Sequence, residues 1–339
     1  MARSFAELGN ALYTGEKSID FVGKRKIWYA VSALLIIIAI AGPFLRGGFQ
    51  LGIEFTGGSQ FQVHVSNSAD RDPAVAEQAV AEALPGSAPR ISVLGQNEVR
   101  VQTEALDDAQ NKAVTEALAA GYGIDADEVT YSFIGPVWGQ DITKQALIAL
   151  VVFILLAALV MAIYFRTWKM SLAAMLALFH DLIITAGIYG LAGFEVTPAA
   201  MIGFLTILGY SLYDTVVVFD KIRENTSPGE LSDLRTYGEA VNLAVNQTLV
   251  RSINTSVVAL LPVASILFVG AGFLGAGTLR DISLALFIGI IAGAYSTIFV
   301  SAPAYAHLRA GEKEIQERDE RILRQRAKQD ETEVVAATT

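Results

Sequence analysis

Six long apolar runs dominate the pattern of hydrophobic and polar positions along the chain. Each approaches the ~20 residues that an α-helix needs to cross about 30 Å of hydrocarbon. They cover residues 27–45, 146–165, 170–194, 198–219, 249–270 and 282–308. Several contain glycine or proline, which are common in membrane helices and costly in soluble ones. The pattern therefore predicts an α-helical membrane protein with six transmembrane helices, whose two termini lie on the same side.

The segment between the first two runs has a different periodicity. Alternating polar and apolar side chains predict strands at residues 60–65, 90–94, 99–103 and 129–134, and helical spacing predicts helices at residues 73–84 and 109–120. The order β-α-β-β-α-β is that of a ferredoxin-like α+β domain. The segment contains no recognisable catalytic set, so we expect a binding or conformationally mobile domain.

Lysine and arginine residues flank the runs mainly at one end of the predicted bundle. By the positive-inside rule that end is cytoplasmic, so the α+β segment is extracytoplasmic and both termini are cytoplasmic. We expect the first run to be an uncleaved anchor rather than a signal peptide. The basic residues on which this orientation rests are Lys24, Arg25, Lys26, Arg166, Lys169, Lys221 and Arg223.

The predicted organisation has five parts in the inner (plasma) membrane. They are a cytoplasmic N-terminal segment (1–26), a first transmembrane helix (27–45), an extracytoplasmic α+β domain (46–145), a five-helix transmembrane region (146–308) and a cytoplasmic charged tail (309–339). Apolar residues at helical spacing near residues 5–12 fit either a short helix on the inner membrane surface or a frayed tail.

Composition agrees with a membrane protein and excludes several kinds of site. Hydrophobic residues make up 53% of the 339 positions and charged residues only 17%, with a mean hydropathy of +0.45. The absence of cysteine excludes disulfides, thiolate metal sites and cysteine nucleophiles. Residues 46–145 carry fourteen acidic against six basic side chains, and no basic stripe for nucleic acid is present. We expect no metal site, no cofactor and no enzymatic activity.

Four ionisable side chains are expected at bilayer depth, where they are costly and usually serve ion or proton handling or a structural pair. They are His180, Asp181, Asp214 and Arg251. Asp214 and Arg251 are expected on neighbouring helices, Asp214 ~9 Å inside the cytoplasmic boundary at about 1.5 Å per residue. Protonation of Asp214 would release Arg251, which couples a proton to helix movement. The alternative is a permanent salt bridge that only fixes helix order.

Asp181 is expected near the middle of the membrane, because it lies twelve residues beyond Lys169. It can hold a second proton, or it can accept hydrogen bonds from serine or threonine on another helix. We expect His180 to be structural, and Asn254, Thr255 and Ser256 to pack between helices.

Four segments resemble the SecD/SecF family of translocase subunits, in the resistance-nodulation-division superfamily. Residues 52–58 read Gly-Ile-Glu-Phe-Thr-Gly-Gly, and residues 209–225 read Gly-Tyr-Ser-Leu-Tyr-Asp-Thr-Val-Val-Val-Phe-Asp-Lys-Ile-Arg-Glu-Asn. Residues 246–256 resemble the start of the family's fifth span, and residues 179–181 resemble part of its third span. The short outer segment favours the SecF branch, since SecD has the same six-span plan with a larger outer region. The family motif comprises Gly52, Glu54, Phe55, Thr56, Gly57 and Gly58.

The resemblance implies a role beside the SecYEG channel, together with SecD, in cell-membrane protein transport. In the family, proton motive force drives outer-domain movements that pull or hold the translocating polypeptide. The resemblance places Asp214 and Arg251 in the proton-responsive set, with Asp181 in support and a further carboxylate from SecD. The implied partners are SecD, SecYEG, the translocating polypeptide and membrane lipid.

Three other functions compete with proton-driven export. The chain could be an architectural subunit of the same complex without proton handling, or half of a small-molecule exporter, although the outer domain is small for that role. An intramembrane aspartyl protease would use Asp181 and Asp214 as a pair. That function is disfavoured because its Gly-x-Gly-Asp motif is absent and because Arg251 would oppose a shared proton.

Overall fold

Six helices form the membrane-spanning part of the protein. The computed structural model describes residues 5–65, 72–95, 97–165, 167–227, 234–270 and 277–338, so Arg166 lies outside the described residues. Among them, six helices are long and apolar enough to cross a membrane, and the predicted number is confirmed. We number them as spans one to six: Arg25–Leu45, Pro136–Phe165, Trp168–Ala192, Pro198–Thr226, Tyr237–Gly270 and Gly277–Arg309.

Spans two and five begin well before their apolar runs. Span two begins at Pro136 rather than at residue 146, and span five at Tyr237 rather than at residue 249. The added turns carry polar side chains, which the hydropathy pattern assigns to loops. In span five a capping box holds the first turn: the Thr236 hydroxyl accepts from the Glu239 amide, and Glu239 accepts from the Thr236 amide.

An α+β domain is inserted between spans one and two. Its sheet has four antiparallel strands, which are β2 (Gly58–His64), β3 (Arg90–Leu94), β4 (Glu98–Thr103) and β5 (Val129–Ile134). Their order in the sheet is β3-β4-β2-β5. Two helices accompany it, Pro73–Ala83 and Asp108–Tyr122. Both begin at an aspartate cap, Asp72 and Asp107, whose carboxylates satisfy free amides of the first turn.

The faces of this sheet differ in polarity because side chains alternate along each strand. Phe61 lies opposite Val101 and Tyr131, and Val63 lies opposite Val99, so one face is apolar. It forms a core with helix residues such as Val80, Val114 and Leu118, all fully buried. The opposite face carries Gln60, Gln62, Arg90, Ser92, Glu98, Arg100 and Gln102. We call it the polar face.

A short parallel strand pair joins the first loop to the loop between spans three and four. Strand β1 (Gln50–Leu51) pairs with β6 (Glu195–Val196), and the Gly52 amide donates to the Val196 carbonyl at 2.9 Å. The chain then forms a short helix, Ile53–Thr56, before it enters β2. We call the end of the bundle next to this pair the domain end, and the opposite end the terminal end.

Both terminal segments pack on the first turns of span five. The N-terminal helix Phe5–Thr14 is followed by a segment whose amides at Ile19 and Phe21 donate to the side chains of Asn246 and Asn242, both at 2.8 Å. The C-terminal helix Lys313–Thr338 accepts the Tyr237 amide through Asp319 at 2.8 Å. The charged tail is therefore helical and attached to the bundle.

Small residues allow two pairs of spans to approach closely. A Cβ atom at Gly187 of span three would collide with Ala39 of span one, including its backbone. A Cβ at Gly203 of span four would lie 2.6 Å from the Cβ of Ala285 in span six. Such contacts replace the hydrophobic driving force, which lipid does not supply between membrane helices.

We expect Gly187→Ala to destabilise the bundle, because the added methyl group meets the backbone of Ala39 and cannot be accommodated by a rotamer change. Overpacking of this kind costs about 1–3 kcal/mol. Gly209→Ala is the matched control, since no atom lies within 4 Å of a Cβ built there. Thermal unfolding of the two purified variants in detergent measures the difference. Equal midpoints for the two variants would contradict the close approach of spans one and three.

Candidate functional site

Asp181 of span three is bound by span four. It is almost fully buried, at 1% exposure, and its Oδ2 atom accepts a hydrogen bond from the Ser211 hydroxyl at 2.5 Å. A Cβ at Gly293 of span six would lie 3.6 Å from the same oxygen, so span six closes the third side.

Asp214 of span four is bound by span five. Its Oδ2 atom accepts from the Ser252 hydroxyl at 2.6 Å, and the residue is 5% exposed. Ser211 and Asp214 are three positions apart on span four, so they project from adjoining parts of the same helix. Span four therefore carries both contacts, one as hydrogen-bond donor and one as acceptor.

Arg251 does not pair with Asp214 in this structure. Its guanidinium forms no ion pair within 4.0 Å with any carboxylate among the described residues. Ser252 is buried towards Asp214, whereas Arg251 is exposed. Consecutive residues of a helix project about 100° apart, so a serine that faces span four turns its neighbour to the outside of the bundle.

Span six joins this cluster where its helix changes geometry. Thr215 and Thr297 share a hydrogen bond between their hydroxyls at 3.0 Å, and both are buried. Residues Thr297–Ser301 form a π-helical segment, in which the Ser301 hydroxyl donates to the Thr297 carbonyl at 2.7 Å. Such bulges inside α-helices often occur at functional sites.

His180 connects the cluster to spans one and six. Its Nδ1 atom lies 3.3 Å from Asp181 Oδ1, and its ring stacks on Tyr295 with centroids 5.8 Å apart. The Tyr295 hydroxyl in turn lies 3.2 Å from the Ser32 hydroxyl of span one. The Nε2 atom of His180 is buried without a hydrogen-bond partner among the described residues.

The motif at residues 52–58 forms the joint between the bundle and the α+β domain. Gly52 precedes the helix Ile53–Thr56, and Phe55 is buried among Tyr189, Val196 and Phe204. Thr56 donates to the Gly52 carbonyl at 3.3 Å. Gly57 has a φ of 76° and Gly58 a φ of 148°, conformations that favour glycine. The side chain of Glu54 is enclosed next to this joint.

The intramembrane cluster contains two carboxyl groups, each bound to a serine hydroxyl. A carboxyl group can gain or lose a proton, and a serine hydroxyl can rotate to donate or accept accordingly. Asp181 and Asp214 bind two different serines, so they do not form a carboxylate dyad. Among the described residues, no group of three or more histidine, aspartate and glutamate side chains is placed to hold a metal ion.

One of the two alternatives for Asp181, a hydrogen bond from serine or threonine on another helix, agrees with the bond donated by Ser211 of span four. The partner of Asp214 was missed, since Ser252 and not Arg251 binds it. Ser211 and Ser252 were not singled out, and neither were Thr215 and Thr297. The only feature of the sequence that points to these serines is their position next to charged residues. Ser211 is one helical turn from Asp214, and Ser252 follows Arg251.

Comparison with known families identifies the chain. The family described as protein export membrane protein SecD/SecF, C-terminal, matches residues 114–311, which is more than half of the chain. The SecD/SecF GG motif matches residues 46–69. The chain belongs to the SecD/SecF family. The intramembrane cluster lies within the first match and the joint within the second.

Individual relatives agree with the family assignment. The protein translocase subunit SecF of Streptomyces coelicolor is 46% identical over 94% of this chain and 84% of its own length. SecF of Pseudomonas aeruginosa is 34% identical over 84% of this chain and 89% of its own length. The crystal structure of SecDF from Thermus thermophilus matches with a TM-score of 0.74 and 31% identity. That match covers 86% of this chain but only 39% of the SecDF chain.

We expect Ser252→Ala to destabilise the bundle, because it leaves a buried carboxylate oxygen of Asp214 without its donor. An unsatisfied buried polar group costs about 1–3 kcal/mol. Ser256→Ala is the matched control, one turn further along span five, because Ser256 is also buried but its hydroxyl donates to no carboxylate in the described structure. Unfolding of both variants in detergent tests the difference, and a loss as large for Ser256→Ala would speak against a specific Asp214–Ser252 bond.

Proposed function

We propose that this chain is an accessory subunit of the Sec protein-export translocase, acting with SecD beside the SecYEG channel. Family membership supports the assignment, as do relatives named protein translocase subunit SecF. The SecDF relatives, whose names join the two subunits, support SecD as the partner, since this chain corresponds to 39% of the SecDF chain. The proposal assigns no enzymatic activity, no cofactor and no nucleic acid to the chain.

We further propose that the subunit uses the proton motive force to promote translocation and release of the precursor. The observation that carries this is the placement of Asp214: an ionisable group buried within span four, held by one neutral hydroxyl and by no ion pair among the described residues. Ionisable groups at that depth are rare and are mostly found on ion or proton pathways. Asp181, held by Ser211, supports the same pathway from span three.

The exposed Arg251 supports a shared site with SecD. A guanidinium at the surface of a membrane helix is costly in lipid, and it is commonly paired with an acid. Arg251 is exposed next to the Asp214 contact and has no carboxylate within 4.0 Å in the part of the chain that the structure describes. We propose that a carboxylate of SecD completes the proton-responsive set here.

We also propose how the chain is oriented in the membrane. The α+β domain is extracytoplasmic and ferredoxin-like, and it contacts the emerging polypeptide, while both termini are cytoplasmic and the spans contact lipid. The sheet order and the two helices support the ferredoxin-like assignment. Lys169, Lys221 and Arg223 near the terminal end support the orientation, because cytoplasmic loops are enriched in basic residues.

An architectural role is the second candidate. The hydrogen bonds of Asp181 to Ser211 and of Asp214 to Ser252 also fix the order of spans three to five, as a purely structural function would require. The two functions predict different export rates for a variant in which Asp214 loses its charge but keeps its shape.

We expect Asp214→Asn to slow export of a secreted precursor about as much as deletion of the subunit, while the complex still assembles. The amide keeps a hydrogen-bonding oxygen for Ser252 but cannot exchange a proton. Pulse-chase export in cells measures the rate, and co-purification with SecD measures assembly. Asp220→Asn is the control, because Asp220 is an exposed acid on the same helix. Normal export with an intact complex would contradict proton coupling through Asp214 and favour the architectural role.

We expect single cysteines to report opposite sides of the membrane, because the natural chain has none. Lys112→Cys lies on an exposed helix of the α+β domain and Lys313→Cys at the start of the C-terminal helix, and both side chains are more than three-quarters exposed. A membrane-impermeant maleimide should label the first in intact spheroplasts and the second only after lysis. The reverse pattern would invert the proposed orientation.

A further inference from the structure

The polar face of the sheet lies against the domain end of the bundle, and Arg100 of β4 is its main charged contact. The guanidinium lies 3.6 Å from Glu195 Oε2 in β6, with 13% and 16% of the two side chains exposed. A Cβ at Gly277, the first residue of span six, would lie 2.6 Å from the Arg100 guanidinium. Arg90 of β3 adds a hydrogen bond to the Leu51 carbonyl at 3.0 Å.

Three carboxylates converge on this one arginine. Glu54 belongs to the motif helix, Glu195 to β6 and Asp281 to the start of span six, and Arg100 acts electrostatically on both Glu54 and Asp281. A Cβ atom built at Gly52 would contact both Glu54 Oε2 and Glu195 Oε1, so these two carboxylates adjoin. Thr197 donates to Asp281 at 2.8 Å, and Arg280 lies close enough to act on that carboxylate. The negative charges in the cluster therefore outnumber the positive charges whenever all its acids are ionised.

The hydrogen bonds of this cluster are incomplete. Glu54 Oε2, Arg100 Nε and Glu195 Oε1 are all buried without a hydrogen-bond partner in the described structure. The Arg100–Glu195 separation of 3.6 Å is an ion pair but is longer than a hydrogen bond. Buried polar atoms normally have a hydrogen-bond partner. Because these three atoms have none, the cluster holds the domain less tightly than a fully hydrogen-bonded cluster would.

The chain enters and leaves the domain at the opposite side of the sheet. Gly58 at the start of β2 pairs with Ile134 at the end of β5, so the two connections are adjacent. Gly57 packs against Pro136 at the start of span two, since a Cβ there would lie 2.9 Å from the Pro136 Cα. The domain is thus connected covalently on the half of the sheet formed by β2 and β5, and it is held by Arg100 and Arg90 on the half formed by β3 and β4.

We propose that Arg100 and the carboxylates of Glu54, Glu195 and Asp281 form a proton-dependent latch between the α+β domain and the bundle. The latch is closed when Glu54 carries a proton and is weakened when Glu54 is ionised. A charge on Glu54 adds repulsion towards Glu195 and Asp281 in an enclosed site, where the three carboxylates face two arginines, Arg100 and Arg280. The domain then swings about its two adjacent connections.

The direction of the pH dependence follows from burial. Burial raises the pKa of Glu54 above its ordinary value; the charges of Glu195 and Asp281 raise it further, while the backbone hydrogen bond and Arg100 oppose the shift. When the domain undocks, Glu54 stays with the bundle but is no longer covered by the polar face of the sheet, so its pKa returns towards the ordinary value. The docked form therefore binds the proton more tightly, so its stabilisation is complete below the ordinary pKa and is lost as pH rises through the raised value.

The test measures the distance between the domain and the bundle in the full chain. Spin labels at Lys112→Cys and Leu45→Cys, both on exposed side chains, are compared by pulsed electron paramagnetic resonance in lipid nanodiscs at pH 5 and pH 8. We expect one docked population at pH 5 and a growing second population at pH 8. The docked-to-undocked ratio should fall about tenfold for each pKa unit that separates the two states.

Three variants decide the outcome. Glu54→Gln, which mimics the protonated side chain, should stay docked at both pH values, and Arg100→Gln should be undocked at both. Glu77→Gln, an exposed acid on the helix Pro73–Ala83, should behave as the natural chain does. A distance distribution independent of pH in the natural chain overturns the proposal. So does a Glu54→Gln variant that still responds to pH, which decides the matter even if Arg100→Gln does not fold.

The latch is independent of the intramembrane cluster, and the experiment separates the two. Asp214→Asn in the spin-labelled chain should keep the full pH response, because Asp214 is not among the groups that act on Glu54. A normal export rate in Asp214→Asn cells would end the proton-coupling proposal and leave this one standing. Loss of the pH response in Asp214→Asn would overturn the placement of the switch at Glu54.

Discussion

A polar group buried between membrane helices must find its hydrogen-bond partner within the protein, and this constraint orders the bundle. Span four supplies Ser211 to Asp181 of span three, Asp214 to Ser252 of span five and Thr215 to Thr297 of span six. The three residues lie within little more than one turn of span four, and each binds a different neighbouring span. Span four is therefore the helix through which hydrogen bonds hold its three neighbours in register.

The sequence predicts the large elements well, because their signals are local. Length and hydropathy are enough to find six spans, and alternation is enough to place β2 and β4 near their observed positions. The starts of spans two and five are missed because Pro136 and Tyr237 begin polar turns that continue the helix past the apolar run. Hydropathy measures contact with lipid, whereas helix length is also fixed by capping and packing.

The candidate site is predicted only in part, because its partners depend on tertiary contacts. Asp214 and Asp181 stand out as carboxylates in apolar runs, but nothing in the local sequence distinguishes Ser252 from Ser256. Only the rotation of span five about its axis makes Ser252 the donor and turns Arg251 outwards. The cluster around Arg100 joins four segments distant in sequence, of which only the motif carrying Glu54 had a local signal.

The packing of Gly57 against Pro136 also bears on how such proteins diversify. Because the chain departs from the bundle and returns to it at nearly one point, the spans would not need to repack if the intervening segment were lengthened, shortened or exchanged. The strand pair β1–β6 and the buried Phe55 attach the chain to the bundle at this point, and neither contact involves the inserted segment. The same set of membrane helices is therefore compatible with inserted domains of different size.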